Sequence, residues 1–132
     1  MNRLFLDANI LFSAAYKADA RVSRLWVLDD VVLCSSRYAL EEANFNLGDE
    51  DQRARLTRLS RALQFFEAPQ GGHLRGIRLP EKDVPILLAA IEARATHLLT
   101  GDVQHFGPYL GKKVAGLTIL LPGEYLRKRS QI

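Results

Sequence analysis

The chain has a single cysteine in 132 residues, Cys34. One cysteine forms no internal disulfide, so a disulfide framework is excluded and a reducing cytoplasm is the expected compartment. Cys34 closes the apolar run Val31-Val32-Leu33, and a buried thiol is expected there. No apolar run approaches the ~18 residues that span a bilayer, so no membrane association is expected. Nothing resembles a signal peptide, because the short run Leu4-Phe5-Leu6 is broken by Asp7 and Asn9. Internal repeats, low-complexity tracts and linkers are also missing. Residues 1–132 are therefore expected to form a single domain, large enough to bury a core without staples. A strong charge of either sign is absent too, with 18 basic against 15 acidic residues and a formal +3. That balance permits a polyanionic partner without requiring one. An evenly mixed solvated surface explains it as well. If several acids share one pocket, however, the remaining surface is more basic than the total suggests and can meet nucleic-acid phosphates.

What is present is an alternation of short apolar runs with helical periodicity, at an ordinary 48% hydrophobic and 25% charged residues. Strand candidates are Arg3–Leu6, Val31–Cys34, Leu63–Glu67, His97–Thr100 and Leu117–Leu121. All suit parallel strands covered on both faces. Strands separated by helices imply βαβ units and an α/β fold. Val22, Leu25, Trp26 and Leu28 predict one helix, and Ser36 a cap for another that ends at Gly48. Asp49 to Ala62 carries Leu56 and Leu59 on a narrow stripe opposite Arg53, Arg58 and Arg61. Pro69 to Pro80 is the longest irregular stretch, read either as a surface loop or as a border of a site, since it leads to Asp83. The tail Arg127-Lys128-Arg129 reads as a solvated terminus.

Four acids stand where strands end or helices begin: Asp7, Glu42, Asp83 and Asp102. In a parallel sheet the carboxyl ends of the strands share one edge, where ligands bind. Carboxylates gathered there repel one another unless a cation lies between them, and hard oxygen ligands suit Mg²⁺ or Mn²⁺. Each acid also has a plain structural explanation. Asp7, in Asp-Ala-Asn after the first strand, serves as an N-cap or turn residue, and Asn9 fits that use even better. As an alternative, Asn9 holds a neighbouring carboxylate in place. Glu41 and Glu42 are adjacent on a helix, and the helical wheel does not choose between them. Asp83 before Val-Pro-Ile-Leu is a good N-cap, with Pro85 tolerated in the first turn. Asp102 in Thr100-Gly101-Asp102 is the best single candidate, its rival being an ordinary turn. His105 reads as a surface or helix-start histidine ahead of a ligand or general base.

The motifs Leu6-Asp7-Ala8-Asn9-Ile10-Leu11, Ser36 followed by Glu42, Lys82-Asp83-Val84-Pro85-Ile86-Leu87, and Thr100-Gly101-Asp102 through His105-Phe106-Gly107 resemble those of the PIN-domain family. The likeness is to its small stand-alone VapC-type toxins, and it covers nearly the whole chain in order. It implies a PIN α/β/α sandwich with a five-stranded parallel sheet, order 3-2-1-4-5. It also maps the family's acidic quartet, catalytic and metal-binding, onto Asp7, Glu42, Asp83 and Asp102, with Asn9 and Thr100 as polar companions. Where many members carry a further acid, this chain has Gln104-His105, a departure that bears on a second metal site.

The implied activity is a metal-dependent endoribonuclease using one or two Mg²⁺ or Mn²⁺ ions, the toxin of a type II pair held in check by an antitoxin protein. Homodimers occur among similar proteins, though nothing in this sequence reports one. Two rivals fit less well. A receiver-like phospho-acceptor needs an Asp after strand 3 and a Lys after strand 5, where this chain has Glu67-Ala68-Pro69 and Leu121-Pro122. A structure-specific DNA nuclease needs extra helices for which the chain has little room. A catalytically silent PIN-type module that binds nucleic acid or protein is the standing alternative.

Overall fold

The computed structural model describes residues 1–130, so the last two residues of the expected domain lie outside the described ones. A mostly parallel sheet flanked by helices is built from β1 (Asn2–Leu6), β2 (Val31–Ser35), β3 (Leu63–Phe65), β4 (His97–Leu99), β5 (Lys113–Val114) and β6 (Leu117–Leu120). The order is β3-β2-β1-β4-β6-β5. Five strands run parallel in the expected order, with β6 as the fifth. The expectation of five strands is corrected by β5, which pairs antiparallel to β6 at the sheet edge. Its two-residue turn places Ala115 at φ 51° and Gly116 at φ 89°. Glycine takes that region freely, whereas alanine there costs about 1 kcal/mol. Ala-Gly lacks the Asn or Asp that usually marks such a hairpin, which hid it in the sequence.

The helices are α1 (Ala8–Tyr16), α2 (Arg37–Asn46), α3 (Glu50–Ser60), α4 (Val84–Glu92), α5 (Val103–Phe106) and α6 (Pro122–Ser130). Ser36 caps α2 as expected, accepting the Ala39 amide at 3.1 Å, and Asp49 caps α3 through the Asp51 amide at 2.8 Å. α2 closes at Leu47, one residue before Gly48. The helix expected around Val22 to Leu28 is instead a 3-10 helix over Arg21–Val27. There the Ser23 hydroxyl bonds the Ala20 carbonyl and competes with an α-helical ladder. Trp26 Nε1 ties this segment to the Leu59 carbonyl at 3.0 Å.

Winding runs outward from β1 in both directions, to β2 and β3 on one side and to β4 and β6 on the other. The strand order therefore reverses between β1 and β4, the switch point where α/β sheets open a crevice. Leu6 pairs with Leu99, and the Asp7 amide donates to the Leu99 carbonyl at 3.1 Å. The first residues past β1 and β4 thus sit side by side. Beneath them Leu4, Phe5, Leu6, Leu98 and Leu99 are fully buried and fix the height of that edge. Cys34 is buried in the same core, and burial pushes its thiol pKa up.

Candidate active site

A cavity of about 600 Å³ opens at this switch point, with Asp7, Glu42, Asp83 and Asp102 all in its wall. Asn9, Phe12, Asn46, Lys82 and Gly101 complete most of the lining. A larger cavity, about 890 Å³, lies elsewhere, between the 3-10 helix and α6, with Arg21, Arg24 and Leu126 in its wall. Among the described residues Glu124 is the one acid in its wall, so the acidic cluster belongs to the smaller cavity.

Asp7 is only 3% exposed. Its Oδ1 accepts the Ala8 amide at 2.7 Å, so the capping use is real. Its Oδ2 accepts Thr100 Oγ1–H at 2.8 Å and Asn9 Nδ2–H at 3.1 Å. Burial raises the Asp7 pKa to about 6, with Thr100 and Ala8 lowering it and the charges of Asp83 and Glu42 adding to the rise. Asn9 reaches further: its Oδ1 accepts the Gly101 amide at 2.7 Å, tying the start of α1 to the end of β4. Thr100, fully buried, also accepts the Asp102 amide at 3.1 Å. One hydroxyl thereby fixes two of the four acids.

Asp102 caps α5 through the His105 amide, at 3.0 Å to Oδ1, while its Oδ2 lies 2.7 Å from His105 Nδ1. Asp83 departs from its expected use. It makes no side-chain cap, because its backbone is already helical at φ −95°, ψ −14° rather than extended as a capping residue is. The turn Pro80 to Asp83, closed by the Asp83 amide on the Pro80 carbonyl at 2.8 Å, feeds straight into α4. The carboxylate is 7% exposed, and its Oδ2 has no hydrogen-bond partner. Burial raises the Asp83 pKa, with the charges of His105 and Lys82 pulling it down and Asp102 pushing it up.

The choice between Glu41 and Glu42 resolves spatially. Glu42 lines the acidic cavity, while Glu41 lies in a separate small pocket with Leu40, Asn44 and Leu56. Glu42 is exposed, so it forms the rim rather than the floor. His105 corrects the surface reading: its Nδ1 stands 2.7 Å from Asp102 Oδ2 and 3.0 Å from Asp83 Oδ2. Asp83, Asp102 and His105 form a group whose ligand atoms lie within 4.8 Å of one another. Its spacing of three residues from Asp102, across a capped turn, was the signal for this contact. Lys82 was overlooked and also lines the cavity. No residue of the Pro69 to Pro80 segment does; Leu74, Ile77 and Leu79 pack on the core instead. No described helix is long and apolar enough to cross a membrane.

No family model and no curated protein sequence matches this chain. Among solved structures it is similar to a chain of the crystal structure of VapBC2 from Rickettsia felis bound to a DNA fragment from their promoter. The TM-score is 0.63 at 17% identity, over 89% of this chain and 96% of that one. The fold is PIN-like. At this identity the likeness carries architecture, and the chemistry must come from the residues.

Proposed function

We propose that this protein is a divalent-metal-dependent endoribonuclease, the toxin of a type II toxin–antitoxin pair. The observation that carries the reading is the buried Asp83 Oδ2, which makes no hydrogen bond of good geometry, has the His105 ring 3.0 Å away as its close contact, and shares a cavity with further acids. A buried, unpaired carboxylate oxygen costs several kcal/mol unless a cation compensates it. The oxygen donors of Asp7, Asp83 and Asp102 fit Mg²⁺ or Mn²⁺. A VapC-like fold, with its toxin–antitoxin neighbour, supports the assignment to such a pair.

A divalent ion bound here would supply positive charge against a scissile phosphate and ease deprotonation of water. Asp7, Asp83 and Asp102 would hold it, and the rim residue Glu42 would join them or orient the attacking water. Thr100 and Asn9 keep Asp7 Oδ2 aimed while its charge state changes. Lys82, exposed at the cavity wall, meets the phosphodiester backbone. The reading is tested by incubating defined tRNA, rRNA and mRNA panels with Mg²⁺ or Mn²⁺, with and without EDTA. Wild type should cleave in a metal-dependent way, and Asp7→Asn should not. Equal behaviour of the two would favour a catalytically silent PIN-type module that binds nucleic acid or protein.

A further inference from the structure

One ring nitrogen faces two carboxylate oxygens in this site. His105 Nδ1 lies 2.7 Å from Asp102 Oδ2 and 3.0 Å from Asp83 Oδ2. A single N–H satisfies one acceptor at a time. Asp102 Oδ2 has the hydrogen-bonding geometry, and Asp83 Oδ2, on a side chain nine-tenths buried, is left without a partner. A divalent cation removes the mismatch by accepting lone pairs from all three atoms, with the ring proton moved to Nε2. Ligand atoms about 2.1 Å from a six-coordinate ion lie about 3.0 Å apart along an edge, close to the 2.7 and 3.0 Å that separate His105 Nδ1 from the two carboxylates, and all three atoms lie within 4.8 Å of one another.

The ring is also held in place. The His105 amide donates to Asp102 Oδ1 at 3.0 Å, and the neighbouring Phe106 is fully buried, which anchors the short α5. We infer that His105 is a nitrogen ligand of the ion held by Asp83 and Asp102, giving a mixed carboxylate–imidazole centre that prefers Mn²⁺ to Mg²⁺. The inference rests on the metal-dependent reading above and sharpens it. Imidazole nitrogen suits first-row transition ions, whereas Mg²⁺ favours oxygen and water, so the ligand set itself selects.

The test reads metal binding rather than cleavage. Wild type and His105→Gln are titrated with Mn²⁺ and with Mg²⁺ by calorimetry, and the Mn²⁺ forms are examined by pulsed electron paramagnetic resonance for coupling to imidazole nitrogen. Wild type should show nitrogen coupling and bind Mn²⁺ more tightly than Mg²⁺. His105→Gln should lose the coupling and at least about tenfold of that preference, comparable to other losses from a metal's ligand environment. His105→Asn, with circular dichroism and thermal melting on both variants, separates ligand loss from misfolding. Mn²⁺ bound by wild type without nitrogen coupling, or an unchanged preference in folded variants, overturns the histidine ligand and leaves the acidic centre standing. Failure of wild type to bind either ion overturns the metal-dependent reading as well.

Discussion

Asp7 and Asp83 occupy the same sheet edge, are almost equally buried, and have pKa values raised by burial, yet they are supported in opposite ways. Asp7 is held by neutral donors: a backbone amide, a threonine hydroxyl and an asparagine amide. These bonds keep its geometry fixed with or without an ion. Asp83 makes no cap, leaves Oδ2 unbonded, and is moderated by the charges of His105 and Lys82. One carboxylate is preorganised by hydrogen bonds, while the other depends on positive charge. If the proposed metal site is correct, the two acids supply complementary support, a rigid reference point and a group with an unmet electrostatic demand.

Substituting each acid with its amide should separate these two kinds of support. The largest expected effect is on cleavage: Asp83→Asn should lower it by about 10³-fold or more, since it removes a carboxylate ligand from the cation that would balance the transition-state charge. The same change should abolish the rise in melting temperature that Mn²⁺ gives the wild type. Wild-type rates from folded Asp83→Asn would remove Asp83 from the machinery. Asp7→Asn should also silence cleavage, but its second effect differs. The folded-state pKa of about 6 exceeds the ordinary 3.8, so the fold binds this proton more tightly than the unfolded chain does. Metal-free stability should therefore fall as pH rises between about 4 and 6, then level off. In EDTA at pH 7, Asp7→Asn should be more stable than wild type by up to about 3 kcal/mol, an advantage that vanishes below about pH 4. Denaturant titrations at the two pH values check the sign. Thr100→Val should lie next in size, costing about 1–3 kcal/mol by stripping a buried donor from Asp7 and an acceptor from the Asp102 amide. It should also raise the Asp7 pKa further, visible in a carboxyl-detected NMR titration.

Much of this arrangement was legible in the sequence, for identifiable reasons. The apolar runs at Leu4, Leu33, Leu98 and Ile119 became buried strands because parallel strands leave little room for polar alternation. Asp7, Asp83 and Asp102 could be placed at one edge because each follows such a run or opens a helix, whereas Glu42 lies in the middle of α2. The adjacent pair Glu41 and Glu42 could not be separated, since the wheel angle between them matters only once the position of the cavity is known. Asp83 misled as a cap because its helical backbone is set by the preceding turn at Pro80, a feature that sequence alone leaves open. His105 was discounted because a lone histidine is usually solvated. Its place beside the acids depends on a contact to Asp83, 22 positions earlier in the sequence numbering, across two elements. The edge strand β5 was hidden by an Ala-Gly turn with no strong hairpin signal.

The subtlest prediction concerns Gly101, which joins Thr100 to Asp102 just past β4. It is not among the glycines with positive φ, so backbone freedom is not its reason. A Cβ there would stand 3.3 Å from Asn9 Oδ1, the atom that accepts the Gly101 amide. Gly101→Ala should therefore push Asn9 by a few tenths of an ångström and cost less than about 1 kcal/mol of stability. The displacement would be transmitted through Asn9 Nδ2 to Asp7 Oδ2, so cleavage should fall several-fold more than stability accounts for. Asn9→Ala removes the relay. If the relay is real, adding Gly101→Ala on that background should change cleavage little, a coupling that a double-mutant cycle measures directly. Strictly additive losses would mean that Asp7 is held by Thr100 and Ala8 alone, and that Asn9 serves only to join α1 to β4.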